Sequence, residues 1–372
     1  MNILMLSWRG PGHPNNGGAE QVTIEHIKAW QKAGHSVWWF TSMYPGANAT
    51  ETLDDIHIIR KGSAAFGVQL SAAIWYLFKQ HPSFDLVIDQ IHGLPFFTPL
   101  YVRTKKLAYI HEVAKEVWWM NPWPKPFNLI PGIFGSLFES SIIRFVYRRI
   151  PFLTVSESTK KDLMEWGIPQ NAITVIHNGT NFSDVPKTPG AKTSVPTITF
   201  LGAVSKDKGI SDALQAFSLI HKQEPTWKFW IVGKTDKEMK DFLKKEVIRL
   251  GIEKNTVYWG FVSNVKKFRL LAKSHVLVNP SVREGWGLVN IESNACGTPV
   301  VGYDVAGTRD SVLDGVTGVL VKSSPELLAH EVISLCNDKK RYKKLSSNAK
   351  QWAHTFTWKE SSTKSLKLIE VL

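Results

Sequence analysis

The chain has 372 residues, 43% of them hydrophobic and 21% charged, which is enough for two domains with full cores and excludes global disorder. Its formal net charge of +13 favours phosphate-bearing partners, whether nucleotides, nucleic acids or an anionic membrane surface, without choosing among them. Two cysteines, Cys296 and Cys336, exclude a disulfide framework and a cysteine-rich zinc site, and agree with a reducing cytoplasm.

Residues 2–7 read as an apolar strand without the basic start or apolar length of a signal peptide. A loop rich in Gly, Pro and Asn (9–18) leads to a helix over 19–33, with Val22, Ile27 and Trp30 near one face and Gly34 as its stop. Further strands are predicted at 36–41, 86–88, 107–110, 152–155 and 174–176, with helical stretches between them. The apolar region 127–147 is interrupted by Pro131, Glu139 and Arg144. A spanning helix needs about 20 continuous apolar residues, so no membrane-crossing segment is read. Residues 113–150 hold Trp118, Trp119 and Trp123 among Lys115, Lys125, Arg144, Arg148 and Arg149. This stretch suits a core helix and loop packed on the first domain. It equally suits an interfacial segment whose aromatics enter the headgroups while its bases meet anionic lipid, which would make a lipid-linked acceptor attractive.

Residues 182–196 contain three prolines and a glycine and read as a linker. The pattern then restarts. Strands are predicted at 197–201, 228–232, 256–259, 276–279 and 299–302, and helices at 209–223, 237–250, 265–273 and 287–295. A basic helical tail covers 325–372. Short apolar strands alternating with helices indicate parallel sheets, so the economical architecture is α/β, two doubly wound domains presenting loops to a shared cleft.

The most informative segment is 279–301, NPSVREGWGLVNIESNACGTPVV. Glu284 falls at a strand-to-helix turn, and Gly285 and Gly287 let backbone amides approach a ligand. Free amides at the positive end of the helix dipole form an anion site suited to a diphosphate. Glu292 lies about one and a half turns further along the same helix. Two carboxylates thus flank an anion site, matching a nucleotide sugar, which has hydroxyls on both sides of its diphosphate. In isolation this pair suits a cap and a solvated helix face; the glycine-rich context favours a site.

The run E-G-W-G-L-x-x-x-E followed by A-C-G-T-P-V-V resembles the E-x-seven-E signature of family 4 glycosyltransferases, which are retaining and have the GT-B fold of two Rossmann-like domains. The resemblance covers nearly the whole chain: Gly17-Gly18-Ala19-Glu20, Ile110-His111-Glu112, Val155-Ser156-Glu157-Ser158, Asn178-Gly179, residues 307–318 and Phe356-Thr357-Trp358 occur in the family's order. It implies an acceptor-side domain over 1–181, a donor domain over 197–355, and a last helix over about 356–372 that returns to the first domain. It further implies that Glu292 binds the ribose, that Glu284 binds the transferred sugar, and that the amides of Gly285, Trp286, Gly287 and Leu288 hold the phosphates. His111 would face the donor sugar, Gly18 would lie in the first-helix loop beside the donor, and Lys208 would clamp the phosphates. Two positions depart from the pattern. Asp310 replaces the usual Glu, and Ala203 stands where the family carries an arginine on the diphosphate, leaving Lys206 and Arg283 as the nearby cations.

The implied reaction moves a hexose from a nucleotide-diphosphate sugar to a glycan or lipid-linked acceptor, without a cofactor or metal. The sequence has no D-x-D triplet, and His13, His92 and His177 lack metal-ligand spacing. Donor base, sugar and acceptor are not encoded in any short motif. The expected location is the cytoplasm or the inner face of the membrane. Two rivals remain open: an epimerase-like enzyme acting on a nucleotide sugar, and a non-catalytic basic protein binding membrane or nucleic acid. No motif that reads nucleic acid is present, so no nucleic-acid partner is expected.

Overall fold

The computed structural model describes residues 1–64, 67–121, 126–187 and 191–372. Trp123 and Lys125, and part of the proline-rich linker, lie outside the described residues. The chain divides into two compact units, unit 1 comprising Met1–Gly179 with Trp358–Leu372, and unit 2 comprising Thr180–Thr357.

Unit 1 runs β1 (Asn2–Leu6), α1 (Gly18–Lys32), β2 (Ser36–Thr41), β3 (Thr50–Leu53), β4 (Ile56–Arg60), α2 (Val68–Phe78), β5 (Leu86–Ile91), α3 (Thr98–Tyr101), β6 (Lys105–Ile110), α4 (Leu129–Val146), β7 (Phe152–Thr154), α5 (Glu157–Glu165) and β8 (Ile173–Val175). Its eight-stranded sheet has the order β3-β4-β2-β1-β5-β6-β7-β8, with β3 antiparallel to β4 and the other pairings parallel. Connections between parallel strands are right-handed. The crossover through α1 runs from β1 to β2, and those through α2 to α5 run the opposite way along the sheet, so α1 covers one face and α2 to α5 the other. Side-chain parity agrees. Leu6, Asp89 and Ala108 share one ladder row; Leu6 packs with Val68 and Trp75 of α2, and Ala108 with Ile143 of α4. Tyr109 points oppositely and stacks on His26 of α1.

Between β2 and β5, where the sequence predicts helical stretches and no strand, the chain forms β3 and β4 as well as α2. The sequence VQLSAAIWYLF of α2 is apolar on all sides and so has no helical period to detect. The region around Pro131 forms an unbroken helix, α4. Pro131 sits in the first turn, where a missing N–H costs little. Glu139 is turned inward, accepting from the Ala114 and Lys115 amides at 2.7 and 3.0 Å and from Trp118 Nε1 at 2.9 Å. Among the described residues α4 is the one helix long and apolar enough to cross a membrane by length and composition, with a mean hydropathy of 1.4.

The C-terminal helix Trp358–Val371 packs on α1 of unit 1. Trp30 Nε1 donates to Ser365 Oγ at 3.1 Å, Ser362 Oγ to the Glu25 carbonyl at 3.0 Å, and the His26 ring lies 3.1 Å from Ser361 Oγ.

Unit 2 runs β9 (Thr197–Leu201), α6 (Ile210–Gln223), β10 (Lys228–Val232), α7 (Lys237–Arg249), β11 (Thr256–Gly260), α8 (Asn264–Lys273), β12 (Val276–Asn279), α9 (Leu288–Ala295), β13 (Val300–Tyr303), α10 (Thr308–Ser311), β14 (Gly318–Val321), α11 (Pro325–Asn337) and α12 (Lys339–His354). Its parallel sheet is ordered β11-β10-β9-β12-β13-β14. Strand order reverses between β9 and β12, and in open parallel sheets ligands bind beyond the carboxyl ends of the strands at such a switch. The segments 202–209 and 280–287 leave the sheet there.

Candidate active site

In unit 2 two glycines allow those segments to touch. Gly209 adopts φ +74°, and a Cβ on it would lie 1.9 Å from the Pro280 carbonyl oxygen. Only a bare backbone can approach so closely. Asp207 O accepts from Val282 N at 2.9 Å, which fixes the register of the two loops. Lys208 is thereby set against Glu284, Nζ to Oε2 at 3.0 Å. The other carboxylate oxygen accepts from Ser281 Oγ at 2.7 Å. Gly307 backs the same turn; a Cβ there would lie 2.1 Å from the Glu284 carbonyl oxygen. Asp310 caps this Gly307 turn, accepting from its amide at 3.0 Å.

Gly287, at φ +75°, is the N-cap of α9, and Leu288 opens the helix. Asn290 N donates back to the Gly287 carbonyl at 2.9 Å, and the start of the helix carries the positive end of the dipole. The indole of Trp286 is buried against Phe356, ring centroids 4.9 Å apart. Further along α9, Glu292 is buried and ion-paired with Lys267 of α8 at 2.5 Å. Both carboxylates thus stand beside a lysine. A chain of buried polar side chains runs beneath the turn: Ser311 Oγ accepts from Asn290 Nδ2 at 2.9 Å, Asn290 Oδ1 from Asn279 Nδ2 at 2.9 Å, and Asn279 Oδ1 from Ser281 Oγ at 2.6 Å. Ser281 therefore reaches Glu284 from a fixed position. Ala203 is exposed just past the end of β9, Lys206 is exposed, and Arg283 is buried.

Unit 1 has its own switch between β1 and β5. Gly18 is the first residue of α1, exposed at the helix start, where the Gly17 amide donates to Glu20 Oε2 at 2.7 Å. His111 follows the end of β6 and is buried, on the α1 side of the sheet. Its Nε2 lies 2.8 Å from Gln90 Nε2, and the same amide nitrogen donates to Thr23 Oγ1 at 2.8 Å. With the Gln90 amide donating, Nε2 is the acceptor and Nδ1 carries the proton. Burial, aided by His92 and His26, pushes the imidazole down to about 3, so it is neutral at physiological pH.

The structure thus groups Lys208 with Glu284, places the residues from Gly285 to Glu292 along one turn and helix, and puts His111 and Gly18 in the other unit. Sequence reasoning missed Lys267, Asn279, Ser281, Asn290 and Gln90. An asparagine ending an apolar strand at 279 and another within the following helix were the available signals; Lys267 is joined to Glu292 only by packing of α8 on α9.

Residues 182–352 match the family model of glycosyl transferases group 1, and residues 16–184 that of glycosyltransferase family 4. An uncharacterized glycosyltransferase of Methanocaldococcus jannaschii is 26% identical over 240 residues, covering 60% of this chain and 61% of the relative. The chain spans about six-tenths of that protein's length, and 39% and 47% of the length of two further relatives, a D-inositol 3-phosphate glycosyltransferase of Segniliparus rotundus and a second uncharacterized glycosyltransferase of Methanocaldococcus jannaschii. Among solved structures, sucrose-phosphate synthase of Thermosynechococcus elongatus aligns with a TM-score of 0.81 at 18% identity, over 99% of this chain and 98% of that one. HepE of Anabaena in complex with UDP and glucose aligns over 100% of both chains, with a TM-score of 0.72 at 18% identity. These structures share the GT-B fold, and with the two family models spanning residues 16–352, the chain belongs to the family 4, group 1 glycosyltransferases.

Proposed function

We propose that this chain is a retaining hexosyltransferase that takes a nucleotide-diphosphate sugar as donor and a glycan or lipid-linked sugar as acceptor, working in the cytoplasm at the inner face of the membrane. The observation that carries this reading is the join of Lys208, Glu284 and the amino end of α9, with Glu292 and Lys267 further along. A diphosphate on the amides of Gly285 to Leu288 is held by backbone N–H groups, by the dipole and by Lys208. Glu292 accepts from the ribose hydroxyls and Glu284 from the hydroxyls of the sugar. Neutral His111 supplies an N–H donor to the sugar.

Reaction on one face of the sugar suits this set of groups. The bond from the anomeric carbon to the phosphate oxygen breaks, and the acceptor oxygen bonds to that carbon on the same side. The acceptor's proton passes to the departing phosphate, giving a nucleoside diphosphate and a glycoside. Negative charge grows on the phosphate oxygens, where Lys208 and the preorganised amides stabilise it. The charge is met by protein groups, so the reaction needs no metal; the absence of a D-x-D triplet from the sequence supports this. In unit 1, a pocket of about 920 Å³ lined by residues that include Tyr44, Arg60, Lys61 and Trp75 offers acceptor-sized space.

Calorimetric binding of UDP, GDP, ADP and dTDP, each with excess chelator, tests the reading. The Anabaena neighbour holds UDP and glucose, which makes UDP the first ligand to try. Micromolar binding of one nucleotide without metal is expected, followed by a new glycosidic bond when the matching donor and an acceptor are supplied. Failure of all four to bind refutes the donor site. An isomerised donor with no transfer points to the epimerase-like alternative.

A further inference from the structure

Helix α4 is inverted relative to an ordinary core helix. Its inward stripe is Gly132, Gly135, Glu139 and Ile143, all buried, and the small residues admit tryptophans: a Cβ on Gly135 would lie 2.0 Å from Trp118, and one on Gly132 2.5 Å from Trp119. The large apolar side chains face out. Ile130, Ile133, Phe134, Leu137, Phe138 and Phe145 are all exposed, Leu137 by 61% and Phe145 by 77%. A soluble surface helix shows the reverse pattern.

Helix α2 repeats the feature. Leu70, Ile74, Leu77 and Phe78, spaced along one helical stripe, are exposed, Phe78 by 76%, whereas Val68, Ala72 and Trp75 form the packed side. Leu100 of α3 is 72% exposed. The crossover argument places α2, α3 and α4 in one layer on the same face of the sheet. These three helices carry a single carboxylate, Glu139, and it is buried. Exposed bases follow each of them: Lys79 after α2, Arg103 and Lys105 after α3, and Arg148 and Arg149 after α4.

We propose that this helical layer is a docking plane for a bilayer of anionic phospholipid, with the outward stripes of α2 and α4 set among the acyl chains and the bases at the headgroups. The proposal rests on the membrane-peripheral reading above and extends it from residues 113–150 to α2. Charge complementarity selects the occupant. The helices α2, α3 and α4 expose no carboxylate, and the exposed bases on and after them, Lys79, Arg103, Lys105, Arg144, Arg148 and Arg149, outnumber the exposed acids that border the layer, Asp85, Glu116, Glu157 and Glu165, a balance that fits a negatively charged lipid surface.

The test is sedimentation of the full chain with vesicles of phosphatidylcholine alone or with about one-third phosphatidylglycerol, at low and high salt. The variants are L77Q/F78Q on α2, L137Q/F138Q on α4 and R148A/R149A, and each is required to keep the nucleotide affinity of the parent chain, since all are exposed and outside the donor site. Each apolar pair is expected to lower partitioning at least tenfold, and the arginine pair to lower it on anionic vesicles while leaving pure phosphatidylcholine unaffected. No binding to anionic vesicles at low salt overturns the membrane reading itself. Binding that depends on the α4 pair but ignores the α2 pair overturns the two-helix plane alone. A dimer in solution that the same substitutions dissociate, without vesicle binding, assigns the face to a second copy and refutes the proposal.

Discussion

Replacing Asn290 by alanine tests whether the buried polar chain under the active-site turn positions Glu284. Asn290 is fully buried; it accepts from Asn279 Nδ2 and donates to Ser311 Oγ, both at 2.9 Å. The substitution strands the Asn279 amide nitrogen, worth about 1–3 kcal/mol, and removes a second bond worth about 1 kcal/mol net. Ser311 Oγ keeps its contacts with the Gly307 and Thr308 carbonyls and adds little. The sum is roughly 2–4 kcal/mol, which for a unit of this size lowers Tm by roughly 5–15 °C. Differential scanning calorimetry reads it, the unit 2 transition being the one that bound nucleotide raises. The double variant N279A/N290A is expected to cost at least about 1 kcal/mol less than the sum of the singles, because the Asn279–Asn290 bond is lost only once. Additive losses, or a Tm change within about 1 °C for N290A, refute the claim that this network fixes the turn.

Three further predictions follow from the site and from unit 1. E292A is expected to weaken nucleotide binding by roughly 10- to 100-fold in titration calorimetry. E284A should leave it within about threefold and lower transfer by roughly two orders of magnitude; equal losses in both properties would show that the carboxylates do not divide the work. A203R, placing a cation at the exposed end of β9, should raise transfer efficiency by about tenfold through a charge-assisted contact with the diphosphate, and an unchanged or lower rate would locate the leaving-group charge elsewhere. Burial pushes both His26 and His111 down to about 3 from an ordinary 6.5. Each stays neutral in the folded chain while the unfolded chain takes up a proton below about pH 6.5, so stability is fully present above that pH and falls as pH drops towards 3. At pH 5 the loss is about 2 kcal/mol for each histidine. H26Q should therefore flatten the acid slope of unit 1 melting, and an identical slope in the variant would sink the assignment.

The strand–loop–helix of residues 276–295 was legible because three apolar strand residues, two glycines and a helix start follow one another in order. Register, loop contact and inversion were not. Lys267 meets Glu292 because α8 packs beside α9, a contact between residues 25 positions apart that no local pattern encodes. Pro131 interrupts the apolar run without breaking the helix, and its place in the first turn of α4 was not legible because the start at Leu129 carries no side-chain cap. The outward stripe of α4 was hidden for a related reason. Periodicity marks an apolar face, but it does not reveal that the side packed on the protein is the one lined by glycine. His111 was readable as a strand-end histidine; its neutral state was not, because that state comes from burial on the α1 side of the sheet beside Gln90.

The return of the last helix to unit 1 also sets an order of events during synthesis. Unit 2 is a single unbroken segment, Thr180–Thr357, whereas unit 1 draws its closing helix from beyond it. At about 5–20 residues per second a ribosome needs roughly 10–35 s to make that intervening segment. Through this interval the face of α1 that later receives Ser361 and Ser365, with Trp30 at its centre, waits bare on the nascent chain. Unit 2 can be finished before unit 1 is closed, although unit 1 is begun first. A transcript truncated just short of codon 358 would thus release a complete unit 2 tethered to an open unit 1, a natural client for chaperones and proteases.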